Sequence, residues 1–291
     1  MKSKFSFSKG KKHDTSMKMR SRQIKNIGKK RDEYPFLAEK VIQMSDIVLE
    51  ILDARFIEET RNLELEQKIL KANKKIIYVF NKSDLIEPEK QKSKELWQIN
   101  PKIFVSCAKR IGIRDLRNKI KILANLVKDR ADKGLGKITV GIIGYPNTGK
   151  SSIINILIGK KAAGTGADAG FTKGIQKVKL TSEIVLLDSP GVIPNIEYTN
   201  VEGKKRSKQT KLGGRSYSQV KYPETVVADL MIEYPEVLEK YYEVDAKGDV
   251  EILLDFVGRK RGFLKKGNEI EEDKTARMVL KDWQEGKIKL P

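Results

Sequence analysis

The strongest chemical signal in the chain is a phosphate-binding loop with the spacing G-x-x-x-x-G-K-[ST], at Gly144–Ser151. An apolar stretch precedes it and a helical pattern follows it, which is the strand–loop–helix context that this motif requires. Backbone N–H groups of such a loop hold phosphates, and Lys150 can reach the β- and γ-phosphates of a nucleotide. The predicted phosphate contacts are Gly144, Asn147, Thr148, Gly149, Lys150, Ser151, Ser152 and Gly191.

A second element, D-x-x-G at Asp188–Gly191, follows an apolar strand pattern. A carboxylate at that place can hold Mg²⁺ through water, while the Ser151 hydroxyl binds the ion directly. Gly191 has no side chain, so its N–H can approach a γ-phosphate closely. We therefore expect Ser151, Thr172 and Asp188 to hold Mg²⁺, and Lys150, Thr172 and Gly191 to act in catalysis.

The chain also contains the residues that read a guanine base. Asn81-Lys-Ser-Asp84 follows a predicted strand, and Ser106-Cys-Ala-Lys109 follows another. The Asp84 carboxylate can accept from two adjacent N–H donors, which guanine offers and adenine does not. A buried carboxylate left without those donors is costly, so this residue discriminates against ATP. The predicted base contacts are Asn81, Lys82, Asp84, Cys107, Ala108 and Lys109.

These elements stand in an unusual order. A guanine-nucleotide domain usually begins with the phosphate loop and ends with the base-reading motifs, whereas here Asn81–Asp84 and Ser106–Lys109 precede Gly144–Ser151. All the elements are present, in circularly permuted order. Several motifs in one coherent order, each in a suitable context, make a chance match improbable.

The permuted order resembles the circularly permuted GTPases of ribosome assembly, specifically the YlqF/RbgA-type branch that serves the large subunit. Three further segments carry the resemblance: Ser45–Arg55 with its D-A-R motif, Ala169–Lys173, and Arg259–Gly262 with the helix pattern after it. It covers most of the chain from about Pro35 onward and implies GTP hydrolysis, with GTP and GDP as ligands. The small-subunit branch carries a Cys/His zinc site, which one cysteine and one histidine cannot build.

Hydrolysis is expected to be slow without help, because Val192 stands where small GTPases place a water-orienting glutamine. The resemblance raises His13 as a substitute, although a solvated tail histidine is the favoured interpretation. Asn147 is expected to ligate K⁺ beside the phosphates, where a cation supplies charge that an arginine supplies in other enzymes. We therefore expect Mg²⁺ and K⁺ as cofactors.

The net charge of +20 is unevenly distributed. Residues 1–31 hold twelve of the 59 Lys and Arg residues against one acidic residue, which predicts a disordered basic tail. A second basic cluster spans Lys204–Arg215. Such segments bind polyanions by counterion release, so RNA is the expected partner, and no membrane or DNA partner is expected. The resemblance implies that this RNA is rRNA in a large-subunit precursor. The family's equivalent helical domain implies RNA contacts at Arg259, Lys260, Arg261, Lys265 and Lys266.

The pattern of elements predicts an α/β fold with a doubly wound, mostly parallel sheet and a small all-helical C-terminal domain. The expected strands are Asp46–Leu52, Lys75–Phe80, Ile103–Val105, Ile138–Ile143, Ile175–Leu180 and Ile184–Leu187; the expected helices include Asn62–Lys71, Pro88–Trp97 and Ile113–Lys128. The predicted divisions are a tail (1–31), a permuted GTPase domain (32–195), a basic switch II and linker segment (196–222) and a helical RNA-binding domain (223–291).

The chain has no run of eighteen apolar residues, no signal-peptide pattern and one cysteine, so a cytoplasmic location is expected. Two other functions remain open. One is a GTP-dependent RNA chaperone without a ribosome role, and the other is a nucleotide-sensing RNA-binding module with negligible hydrolysis.

Overall fold

A computed structural model describes residues 36–131, 136–159, 175–189 and 202–290. Its strands are β1 (Ile47–Asp53), β2 (Lys75–Asn81), β3 (Lys102–Phe104), β4 (Ile138–Gly144), β5 (Gln176–Lys179) and β6 (Ile184–Asp188). They form one sheet in the order β3-β2-β1-β4-β6-β5, parallel except for the antiparallel pair β5 and β6. The prediction of a mostly parallel sheet is confirmed.

Helices follow most of the strands. They are α1 (residues 36–44), α2 (Ile57–Thr60), α3 (Leu63–Lys71), α4 (Pro88–Gln91), α5 (Ile113–Ala131), α6 (Lys150–Ile158), α7 (Glu202–Lys211), α8 (Pro223–Glu233), α9 (Pro235–Tyr242), α10 (Val250–Arg261) and α11 (Glu272–Gln284). The predicted helix at Asn62–Lys71 is confirmed, with the Asn62 side chain accepting from the Leu65 N–H as its N-cap.

The prediction of one helix over Pro88–Trp97 is wrong. α4 ends at Gln91, and a separate 3-10 helix spans Lys94–Gln98. Ser93 separates them because its ψ of 145° is extended backbone, which interrupts helical hydrogen bonding. The described helices include none that is long and apolar enough to cross a membrane.

The sheet has a buried apolar layer on each face. Alternate residues of β1 divide between them: Ile47, Leu49 and Ile51 pack with α5 and α6, whereas Val48 and Leu52 pack toward α1 and α3. A third core lies among α8, α9, α10 and α11, and the fully buried Trp283 is its largest side chain. Leu212 and Val220 from the preceding segment, and Phe56 and Tyr145 from the sheet domain, also belong to this third core.

Glu50 is an exception in the apolar interior of β1. It is fully buried, with Oε1 accepting from the Asn62 N–H at 2.9 Å and Oε2 without a hydrogen-bond partner among the described residues. Burial and the neighbouring Glu66 carboxylate raise the pKa of Glu50 well above its ordinary value. Glu66 differs, because Arg61 donates to both of its oxygens and Tyr78 donates a third hydrogen bond.

Replacement of each glutamate by glutamine should therefore change the free energy of unfolding in opposite directions. Glu50→Gln should raise the free energy of unfolding at pH 8, with little difference from the parent near pH 4. The reason is that wild-type Glu50 keeps a proton in the fold that the unfolded chain releases, so wild-type stability falls as pH rises above the unfolded pKa of about 4.5. Glu66→Gln should instead destabilise, because it removes a charged partner of Arg61. Urea unfolding across this pH range measures both, and equal effects of the two variants would contradict the assignment.

Candidate nucleotide-binding site

The site lies where the parallel strands end, at the carboxyl edge of the sheet. β1 and β4 are neighbours, with Ile51 opposite Gly144, so the phosphate loop begins beside the end of β1. A Cβ on Gly144 would lie 2.3 Å from the Ile51 carbonyl oxygen, and its φ is +149°. Glycine is required here because the two strands approach more closely than a side chain permits.

Gly149, Lys150 and Ser151 join the phosphate loop to α6. Gly149 is the N-cap with a φ of +98°, and α6 directs its N-terminus into the loop. Lys150 is buried, and its ammonium donates to the carbonyl oxygens of Gly144 and Tyr145 at 3.0 and 2.8 Å. Burial lowers the pKa of Lys150 to about 8. The Lys150 ammonium is therefore already positioned to donate to a phosphate, and the negative charge of the phosphate would stabilise its protonated form.

The two predicted Mg²⁺ residues within the described chain are adjacent. The Ser151 hydroxyl donates to Asp188 Oδ2 at 3.4 Å, and Asp188 is buried at the end of β6. The next residue, Ser189, anchors the strand end through a hydrogen bond to the Ile142 carbonyl at 2.8 Å. No group of three His, Cys, Asp or Glu residues in the described chain could hold a metal. Two protein oxygens fit a Mg²⁺ that takes its other ligands from phosphates and water.

Asn81 joins the phosphate loop to the base-reading loops. Its amide nitrogen donates to the Thr148 carbonyl oxygen at 2.7 Å, and its Oδ1 accepts from the Cys107 N–H at 3.3 Å. A Cβ on Gly149 would lie 2.2 Å from this amide nitrogen, which explains the glycine. One buried side chain thus fixes two loops that are both distant from it in sequence.

The other base-reading residues lie around Asn81. Asp84 is part of a one-turn 3-10 helix, Ser83–Leu85, and the Lys109 N–H is held by the Ser106 hydroxyl at 3.0 Å. Ala108 is exposed at the tip of this loop. Burial and the Asp84 carboxylate raise the pKa of Cys107 to about 12, so its thiol is uncharged at neutral pH.

Lys82, a predicted base contact, also has a partner outside the base-reading loops. It has a left-handed φ of 61°, and its ammonium binds Asp53 Oδ2 at 2.8 Å. Asp53 ends β1 opposite Asn81, and it also binds Arg55 through both carboxylate oxygens. In the sequence this D-A-R segment carries the family resemblance and has no predicted task. Charged residues directly after a buried strand are the signal that could have indicated one.

Asn147, the expected K⁺ ligand, contacts the segment after α7. Its φ is +60°, and its amide nitrogen donates to the Gly213 carbonyl oxygen at 2.7 Å. The structure places the phosphate loop against the helical part of the chain at this point. His13, Thr172, Gly191 and Val192 lie outside the described residues, so their predicted roles stay predictions.

The five predicted RNA contacts all lie on the surface, at the end of α10 and in the turn after it. Arg259 pairs with Asp255 at 2.8 Å and Lys260 pairs with Glu243 at 3.4 Å. Exposed pairs of this kind are weak and leave both cations accessible to a phosphate.

Comparisons with known proteins agree with this geometry. A family model described as "50S ribosome-binding GTPase" matches residues 139–240. An uncharacterised GTP-binding protein of Methanocaldococcus jannaschii is 38% identical over 257 residues, covering 87% of this chain and 65% of the relative. Nucleolar GTP-binding protein 2 of Yarrowia lipolytica is 37% identical, covering 86% of this chain and 48% of the relative. The chain therefore spans between about half and two thirds of these relatives.

Two solved structures share the fold. GDP-bound YlqF has a TM-score of 0.60 at 22% identity and covers 86% of this chain and 94% of its own. GNP-bound YlqF from T. maritima has a TM-score of 0.59 at 22% identity and covers 92% of this chain and 94% of its own. The permuted order of motifs and the sheet that assembles them therefore give the chain the fold of the circularly permuted GTPase YlqF, and its sequence relatives are named GTP-binding proteins.

Proposed function

We propose that the chain binds GTP, hydrolyses it to GDP and phosphate, and acts as a nucleotide-gated factor that binds rRNA during assembly of the large ribosomal subunit. The observation that supports nucleotide binding best is the Asn81 bridge. It fixes the guanine-reading loop against the phosphate loop, so that one nucleotide can contact both. The relatives with "GTP-binding" in their names support the same ligand.

Within the described residues, Lys150 and the N-terminus of α6 would hold the phosphates, and Ser151 with Asp188 would hold Mg²⁺. The ion would neutralise charge that develops between the β- and γ-phosphates. Asn147 would take K⁺ through Oδ1 while its nitrogen stays on Gly213. Thr172 and Gly191 are proposed as further γ-phosphate contacts, on the basis of the sequence motifs alone.

The ribosomal part of the proposal is supported by the family description and by charge. The "50S ribosome-binding GTPase" model matches residues 139–240, which run from the phosphate loop into the helical domain. The exposed cations after α10 and the net charge of +20 suit an RNA phosphate backbone. A cytoplasmic location also remains a proposal; relatives of this chain carry the name "nucleolar".

Replacement of Asn81 by alanine should weaken GDP binding by about 10- to 100-fold, because the two hydrogen bonds that join the loops can no longer form. Isothermal titration with GDP gives the affinity. Asn125→Ala is the matched control, since Asn125 is exposed on α5 and should bind GDP like the parent. Unchanged affinity in Asn81→Ala would show that the bridge does not build the site.

GTP hydrolysis should be slow in NaCl, faster in KCl at the same ionic strength, and fastest in KCl with purified large ribosomal subunits. Phosphate release measures all three conditions, with Lys150→Ala as the variant expected to be inactive. Equal rates in Na⁺ and K⁺ would remove the K⁺ proposal alone. Tight GTP binding without stimulation by subunits would favour the RNA-chaperone or sensor functions.

The salt dependence of rRNA affinity should show whether the basic residues after α10 contact RNA. The double variant Lys265→Ala, Lys266→Ala should bind rRNA more weakly, and the slope of log K against log salt should become shallower by about 0.7 to 0.9 for each RNA phosphate that the variant no longer neutralises. Lys92→Ala, Lys94→Ala removes the same charge from exposed positions beside α4 and is the control. If both double variants change the slope equally, net charge rather than the turn after α10 governs binding.

A further inference from the structure

Asp53 is a buried carboxylate held between two cations. Its Oδ2 accepts from Lys82 Nζ and Arg55 Nη2, both at 2.8 Å, and its Oδ1 accepts from the Nε and backbone N–H of Arg55 at 3.0 and 3.1 Å. Burial alone would raise the pKa of Asp53, but Lys82 and Arg55 together hold it well below its ordinary range. The carboxylate therefore stays charged, and removing either cation would leave buried charge poorly compensated.

Arg55 extends this cluster to the helical domain. Its remaining terminal nitrogen, Nη1, donates to the Trp283 carbonyl oxygen at 2.9 Å, and its side chain is buried. Trp283 lies in the last turn of α11, and its carbonyl oxygen also accepts from the Gly286 N–H at 3.1 Å. A cation at this end of the helix is favoured by the helix dipole. The neighbouring Phe56 ring packs against the Trp283 ring, with centroids 6.1 Å apart. The contact thus combines a charged hydrogen bond with apolar packing.

The same end of α11 also holds the segment that contacts the phosphate loop. Gln284 donates to the carbonyl oxygens of Thr210 and Arg215, each at 2.8 Å, and the Trp283 indole donates to the Lys211 carbonyl at 3.1 Å. The segment held in this way includes Gly213, whose carbonyl accepts from Asn147. The last turn of α11 is consequently linked to the base-reading loop through Arg55 and Asp53, and to the phosphate loop through the segment that contains Gly213.

We propose that Asp53 and Arg55 are positioning residues that connect Lys82 of the base-reading loop to the last turn of α11, so that guanine binding and docking of the helical domain stabilise each other. A guanine that orders Lys82 also orders Asp53, Arg55 and then Trp283. By linkage, a docked α11 favours the base-binding arrangement to the same degree. This inference rests on the proposed binding of guanine nucleotides, and it requires the base but not the γ-phosphate.

Hydrogen exchange at the amides of α11's last turn tests the connection, with and without GDP saturating each variant. In the parent, GDP should slow this exchange by about five- to tenfold, at the lower end of typical couplings between sites. Arg55→Ala should abolish the GDP effect. Arg55→Lys keeps a positive charge beside Asp53 but cannot bind both Asp53 and Trp283, so it should fold well and still lose most of the effect.

Arg61→Ala is the matched control, because Arg61 forms a comparable partly buried pair with Glu66 outside the nucleotide site. It should lower stability yet keep the full GDP effect. A purely structural Arg55 would speed exchange equally with and without GDP, and that result would overturn the inference. Absence of GDP binding to the parent chain, measured first by titration, would overturn the proposed function and this inference together.

Discussion

The pairing of β1 with β4 is the constraint on which the nucleotide site depends. In the sheet order β3-β2-β1-β4-β6-β5, this pair joins the strands that carry base-reading residues to those that carry phosphate-reading residues. Gly141 and Gly144 permit the close packing around β4, since a Cβ on Gly141 would lie 2.2 Å from the Ser45 hydroxyl oxygen. Because the chain is permuted, sheet hydrogen bonds rather than chain continuity set the distance between the two half-sites.

Two side chains at the strand ends then fix the loops that the sheet places side by side. Asn81 and Asp53 stand opposite each other at the ends of β2 and β1, and they act in different directions. The Asn81 amide connects neutral backbone groups of two loops, so it fixes geometry at small electrostatic cost. Asp53 instead gathers Lys82 and Arg55, which makes its surroundings costly to disturb. The residue that fixes the two loops of the site, Asn81, and the residue that links the site to Arg55, Asp53, therefore lie opposite each other in neighbouring strands.

Local patterns were sufficient to predict the sheet, the helical domain, the helix after Asn62 and the residues grouped at the strand ends. They failed where local signals conflict, as at Ser93, whose extended backbone divides the expected helix over Pro88–Trp97. They also could not show that Lys82 binds Asp53 or that Arg55 binds Trp283, 228 residues further along the chain. Such contacts depend on how the folded elements pack, and a local sequence pattern does not show which distant residues that packing brings together.

Occupancy of the site and the presence of a γ-phosphate would be sensed by different residues. GTP and GDP share the guanine base, so the proposed connection from Lys82 through Asp53 and Arg55 to α11 would respond to occupancy of the site and not to the γ-phosphate. A ligand shifts an equilibrium only by its differential affinity for the two states. Any difference between GTP and GDP must therefore enter through γ-phosphate contacts, which the sequence assigns to Thr172 and Gly191. Occupancy would hold the helical domain in place, and hydrolysis would act on a domain that is already docked.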